Sequence, residues 1–272
     1  MIGTRCKTRL FVPNSPFFKN QMIMQKLSSR NTRIGILIYK DFDSLDVAGP
    51  NQVFHFLSSN RANRVEHYLI GPKKGEIVTS LEGLEWKVNM GYNREPDTSD
   101  YLDVIFIPGG FGPGFEALLE NKDSPFYKYL EKQVAMAKAA NKTQLICSVC
   151  VGALLLARAG LLEGYSCTTH WAFKNVLSLF QGVLMAPGFP RYVVDRNRVT
   201  GGGISSGLDE ALAIVEILRG ADVAQQIQLT IQYAPNPPYT SGDPSVANAS
   251  TVSAVSQRIG SGELYDLVKN FS

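Results

Sequence analysis

The sequence predicts an α/β fold with a mostly parallel sheet covered by helices on both sides. Three observations predict it. Short apolar runs such as Arg33-Ile-Gly-Ile-Leu-Ile-Tyr39 and Tyr101-Leu-Asp-Val-Ile-Phe-Ile-Pro108 lack polar alternation, as strands buried on both faces do. They alternate with helical stretches over about 200 residues, the rhythm of βαβ units. A chain of 272 residues with 44% hydrophobic composition can bury one large core.

In order, Arg33–Tyr39 is the first strand, and Asp46–Leu57 a helix with Pro50 near its first turn. Glu66–Ile70 is a second strand ended by Gly71-Pro72, and Ile77–Val88 a hairpin-like insertion. The strand ending at Pro108 feeds the glycine-rich turn Gly109–Gly114 and a helix from Ser124 to Ala140. The run Thr143–Val149 ends on Cys150, where a helix starts that Gly160 and Gly164 close. Ser166–Thr169 reads as a short strand and Trp171–Phe180 as helical. Arg191–Asp195 and Arg198–Thr200 pair around Arg196-Asn197, and the helices Leu208–Arg219 and Ala221–Ile231 follow. From Tyr233 a tail with Pro235, Pro237, Pro238 and Pro244 is extended, and Ser253–Val268 is helix-like. There is no internal repeat, and residues 33–272 read as one domain.

The net charge is only +3, with Lys and Arg scattered, so no nucleic-acid surface is expected. No apolar run is long enough to predict a membrane span. Four cysteines are too few for a disulfide framework, and three fall between 147 and 167, which fits a reducing, cytoplasmic setting. Residues 1–32 form a basic extension: through Arg33 there are seven Lys or Arg and no Asp or Glu. It reads as a disordered extension, with a mitochondrial leader as the alternative.

Cys150 is the candidate of most interest. A thiol at a strand-to-helix elbow faces helix amides that lack intrahelical partners, which favours thiolate over thiol and offers donors to a bound anion. The other reading is a small buried residue at a strand end. Cys147-x-x-Cys150 with Cys167-x-x-His170 has zinc-site spacing, but Cys147 lies inside a strand and a helix separates the pairs, so no metal is expected. The Gly109–Gly114 turn lacks both the Gly-Lys-Ser/Thr of a phosphate loop and the acid of a dinucleotide fingerprint. Asp46 sits on the carboxyl-end rim, as a helix N-cap or as a proton carrier beside the thiol. Of the three histidines only His170 is placed for a site, or else for capping or a core edge.

Asp46-Val-Ala-Gly-Pro-Asn-Gln-Val-Phe54, Ile107-Pro-Gly-Gly110, Ile146-Cys-Ser-Val-Cys-Val-Gly-Ala153, Thr168-Thr-His-Trp171 and Val193-Val-Asp-Arg-Asn-Arg-Val-Thr-Gly-Gly-Gly203 resemble the DJ-1/PfpI superfamily, from about residue 33 to 245. The Asp at 46 and the tail Gln232–Tyr239 look most like its isonitrile hydratases. The resemblance implies a flavodoxin-like sandwich, usually a homodimer, with Cys150 as nucleophile and Asp46 as acid/base. It also implies Gly110 and Val151 as amide donors, and His170 is read beside them as a substrate-binding residue. It implies a small-molecule isonitrile substrate and no metal or organic cofactor. Val151 departs from the hydratase pattern, which commonly has Thr there, so a hydroxyl is lost while the amide stays.

Two alternatives remain open. AraC-type regulators carry a related small-molecule-sensing domain with the Thr-Thr-His-Trp segment, but need roughly 100 further residues for a helix-turn-helix region where about 30 follow Pro244. Glyoxalase or deglycase-like activity uses a Glu and a His near the thiol, which this chain lacks at the matching positions.

Overall fold

The computed structural model describes residues 9–10, 31–93 and 101–271. The expectation of a disordered leader falls almost wholly outside these residues. Of that segment, the short strand β1 (Arg9–Leu10) is described, pairing in parallel with Tyr192 and Val193.

The chain then lays down β2 (Thr32–Leu37), helix α1 (Ser44–Ser59) and β3 (Val65–Gly71). A hairpin of β4 (Ile77–Thr79) and β5 (Glu85–Lys87) is the expected insertion, and β6 (Met90–Gly91) adds to the sheet beside β3. β7 (Val104–Ile107) leads to α2 (Pro113–Glu120) and α3 (Pro125–Ala139), then β8 (Leu145–Ser148) to α4 (Gly152–Arg158). After β9 (Ser166–Cys167) come a 3₁₀ turn at Trp171–Phe173, α5 (Lys174–Leu177) and β10 (Leu184–Met185), which pairs with β9. β11 (Tyr192–Asp195) and β12 (Arg198–Gly201) form the expected antiparallel pair. Helices α6 (Gly207–Arg219), α7 (Ala221–Thr230), α8 (Ala249–Arg258) and α9 (Ser261–Lys269) complete the described chain.

Among the described residues the main sheet runs β1-β11-β12-β8-β7-β2-β3-β6, parallel throughout from β12 to β6. Every residue of β7 and β8 is buried, so both faces of the sheet centre are covered, as their continuous apolar runs predict. The order β3-β2-β7-β8-β12 is the flavodoxin-like 2-1-3-4-5 arrangement, in which the chain reverses direction across β2. In register, Ile36, Phe106 and Cys147 lie side by side, so the segments leaving β2, β7 and β8 emerge together at one rim.

Three elements differ from expectation. Pro113 does not merely interrupt a glycine loop; it occupies the first turn of α2, where its missing N–H costs nothing. α1 begins at Ser44, so Pro50 lies inside it and removes the donor to the Asp46 carbonyl. Its ring instead packs against Gly207 at the start of α6. The piece Ser253–Val268 is two helices, separated at Gly260 with φ +69.

Gly152 sets the spacing of the elbow. A Cβ there would lie 2.7 Å from the Pro108 carbonyl oxygen and against that of Ile107, both backbone atoms of the β7 exit. Rotamer changes cannot relieve such a contact. Gly152→Ala is therefore expected to cost about 1–3 kcal/mol, read as a lower Tm in thermal unfolding. An unchanged Tm would show that α4 can slide away from β7.

Candidate active site

Cys150 adopts φ +55, a left-handed conformation uncommon outside glycine, and holds it at the turn into α4. Its surroundings over-determine that geometry. The Cys150 N–H donates to the Gly202 carbonyl at 2.8 Å, and the Thr169 hydroxyl donates to the Cys150 carbonyl at 2.7 Å. The Thr-Thr-His-Trp and triple-glycine segments thus act as braces for the elbow, a role their sequence does not announce.

Asp46 meets the thiol across Gly109. The Gly109 N–H donates to Asp46 Oδ2 at 2.7 Å. A Cβ on Gly109 would lie 2.8 Å from Asp46 Oδ2, 2.8 Å from Cys150 Cβ and 2.9 Å from the Val151 nitrogen. Only glycine lets carboxyl and thiol approach. Asp46 Oδ1 meets no partner among the described residues, and the Cys150 side chain lies beside the carboxyl. The capping expectation passes to a neighbour: Asp43 is the N-cap of α1, accepting from the Leu45 N–H at 3.0 Å, while Asp46 sits in the first turn, fully buried.

Two contacts between the segments leaving β2 and β7 hold the rim together. Asp43 N–H donates to the Gly109 carbonyl at 2.9 Å and Phe111 N–H to the Asp41 carbonyl at 3.1 Å, an isolated bridge across Phe42 and Gly110. The buried Tyr39 hydroxyl donates to the Pro108 carbonyl at 2.7 Å, fixing the same turn. The Gly110 N–H has no backbone acceptor among the described residues, and Gly110 lines the cavity.

The electrostatics reverse one expectation. Burial, then the charge of Asp46, pushes the Cys150 thiol well above its usual range, although the Val151 and Ile204 amides pull it down. The thiol, not the thiolate, is the resting form. Asp46 is likewise raised, by burial first and then by Asp43, against the lowering bond from Gly109. Ile204, from the 3₁₀ turn before α6, is a site residue that sequence reasoning did not single out.

A cavity of about 290 Å³ opens above Cys150. Gly110, Cys150 and Val151 line it, with Phe111, Phe173 and Ile204 as apolar walls and His170 between them. Asp46 lies beneath this surface and does not line it. All five expected site residues thus gather at one rim. His170 both lines the cavity and caps the 3₁₀ turn, its Nδ1 accepting from the Ala172 N–H at 3.3 Å. That bond assigns the ring proton to Nε2, and burial lowers the pKa to about 4, so the ring is neutral. Val255, Arg258 and Ile259 of the C-terminal helices close the outer side, a contribution with no signal in the sequence. Cys147 stays in strand β8.

Glu210 of α6 forms a second buried acid behind the elbow. Its Oε2 lies against Gly201, with the Ser206 hydroxyl beside the same glycine, and neither carboxyl oxygen meets a partner of good geometry. Burial, then Asp46, raises its pKa well above the ordinary 4.5. The folded state therefore holds this proton more tightly than the unfolded chain, and stability falls as pH rises from 4.5 through the folded value.

Comparison with known proteins gives a consistent picture. The DJ-1/PfpI family model matches residues 32–217. Isonitrile hydratase of Pseudomonas putida is 36% identical over 226 residues, covering 83% of this chain and 89% of its own length. The HTH-type transcriptional regulator GbdR of Pseudomonas aeruginosa is 24% identical over 195 residues, which are 71% of this chain but 48% of the regulator. A crystal structure of a THiJ/PfpI family protein from Pseudomonas syringae superposes with a TM-score of 0.72 at 30% identity, covering 88% of this chain and 90% of that one. Among the described residues no helix is long and apolar enough to cross a membrane.

Two outcomes are expected of this electrostatic arrangement. Glu210→Gln raises Tm at pH 8 by a few degrees, and the gain shrinks toward pH 4.5, where the acid is protonated in both states; a pH-independent gain would contradict the assignment. Asp46→Asn removes the charge that opposes thiolate formation. Iodoacetamide should then label Cys150 faster at pH 7.5 than in the parent protein, followed by intact mass and peptide mapping.

Proposed function

The chain belongs to the DJ-1/PfpI family, and from that premise we propose that it is an isonitrile hydratase-like enzyme, adding water to R–N≡C to give an N-substituted formamide. One observation carries the proposal: a buried carboxyl and an elbow thiol share the two sides of Gly109 at the floor of an apolar cavity. The 36% identity to the Pseudomonas putida hydratase supports the choice of reaction.

The chemistry suits a pair that holds one proton, on the thiol at rest. An isonitrile carbon accepts a nucleophile and a proton at the same atom. Sγ of Cys150 forms a bond to that carbon as its proton passes to Asp46, and Asp46 delivers a proton to the carbon, giving the thioimidate R–N=CH–S. Water then adds to the same carbon, giving up a proton to Asp46 and the nitrogen gaining one. Collapse expels the Cys150 sulfur, which recovers its proton, and releases R–NH–CHO. No electrons leave the system, and each proton taken up is returned.

In this reading the Val151 amide, which bonds toward the Cys150 thiol, and the amide of Gly110 in the cavity lining stabilise charge developing during attack and collapse. Val151 offers no hydroxyl, so this stabilisation rests on backbone donors. His170, neutral and committed through Nδ1 to its cap, presents Nε2–H as a donor.

The test is a panel of aliphatic and aromatic isonitriles with formamide detected by mass spectrometry. Cys150→Ala should abolish turnover, and Asp46→Asn should reduce kcat by about 10²- to 10⁴-fold. No formamide from any member, or full activity in Cys150→Ala, overturns the reading. A reversible Cys150 adduct without release of product would favour the sensing role suggested by the similarity to GbdR.

A further inference from the structure

The C-terminal helices are anchored, which makes them a wall of the cavity. Gly260 breaks the chain between α8 and α9, and a Cβ there would lie 2.5 Å from the Phe111 ring. Past this break Leu264 and Val268 are buried, and α9 packs on α5 and the Trp171–Phe173 turn. Beyond α9, the Arg158 guanidinium stacks 4.3 Å from the Phe271 ring centroid. With the chain held on that side, Val255 and Ile259 line the cavity.

Charge is distributed unevenly along the cavity. The floor carries the thiol, with Asp46 beneath it, and Asp43 lies beside them. Asp43 accepts from the Leu45 amide, and its charge adds to the rise of both Asp46 and Cys150, so it repels an anion. At the outer rim Arg258 is exposed, lines the cavity and has no ion-pair partner among the described residues. His170 is neutral. The space between is apolar, bounded by Phe111, Phe173 and Ile204.

We propose that α8 is the specificity wall of this site, and that its isonitriles carry an apolar substituent ending in an anionic group that meets Arg258. This rests on the isonitrile reading for the reacting end; the charge preference of the cavity does not. An acidic floor and a cationic rim orient such a molecule with its isonitrile carbon toward Cys150, because the reverse pose sets anion against Asp46 and Asp43.

Two pairs of probes test it. The first is 4-(isocyanomethyl)benzoate against its methyl ester, compared by kcat/KM at low salt. Preference for the acid is expected at up to about fivefold, the size of a rim ion pair, and is lost in Arg258→Gln and at high salt. A folding defect would lower both substrates together and leave their ratio unchanged. The second pair is N-(4-carboxyphenyl)maleimide against the corresponding methyl ester, scored as the rate of adduct formation on Cys150 by mass mapping. It needs no turnover, so it decides the charge preference even if neither isonitrile is hydrated, a result that would count against the hydratase reading alone. Faster labelling by the acid, abolished in Arg258→Gln, supports the proposal. Equal or slower labelling by the acid, or a preference that survives Arg258→Gln, overturns it.

Discussion

The close approach at Gly109 is the constraint on which the site depends. One backbone atom group separates the Asp46 carboxyl from the Cys150 side chain, and the Gly109 N–H binds that carboxyl directly. Three segments from three adjacent strands meet there. Their arrival together follows from strand register, since Ile36, Phe106 and Cys147 are already aligned within the sheet. The Phe42–Gly110 bridge and the Tyr39 bond to Pro108 then stop the segments from separating. The parallel sheet supplies alignment, the glycine supplies proximity, and the carboxyl-end rim of the chain reversal supplies the open space above.

The balance of forces on the thiol explains why elbow geometry alone misleads. Partial charge at a helix terminus is typically worth about 0.3–1 kcal/mol, whereas full burial can shift a titrating group by up to about 3–5 pK units. Cys150 is 7% exposed, Asp46 is fully buried, and the two repel when both are ionised. Burial wins, and the thiol keeps its proton. For the proposed reaction this is useful, because addition to an isonitrile consumes a proton at the carbon that sulfur attacks. A free thiolate beside an ionised carboxylate would have nothing to give.

Much of the fold was legible because the strands are buried on both faces and announce themselves as continuous apolar runs. The five candidate site residues were singled out through turn chemistry and resemblance to a family. What escaped detection was tertiary. Asp43 and Asp46 are equally good caps by residue type, and only the start of α1 at Ser44 decides between them. Pro113 reads as a breaker in a glycine-rich turn, yet the same fixed φ opens a helix. Thr169 and Ile204 act on the elbow through a hydroxyl and a backbone N–H, and neither role has a local pattern. The break at Gly260 fell inside a plausible helical stretch, so the cavity's outer wall could not be foreseen.

The state of His170 narrows the chemistry further. A thiol that works with histidine needs the ring to accept its proton or to stand beside it as a cation. Here Nδ1 is already an acceptor for the Ala172 N–H, and burial holds the ring neutral down to about pH 4. The ring also packs edge-on against Phe173, 5.6 Å between centroids, which limits how far it can turn. An imidazolium partner is therefore not offered to the sulfur, and the carboxyl across Gly109 is the basic group left within reach of the thiol proton. In the proposed reaction that assignment makes Asp46 both the receiver and the donor of one proton, so a reaction returning it to the attacked carbon suits the site better than one expelling a strongly basic leaving group.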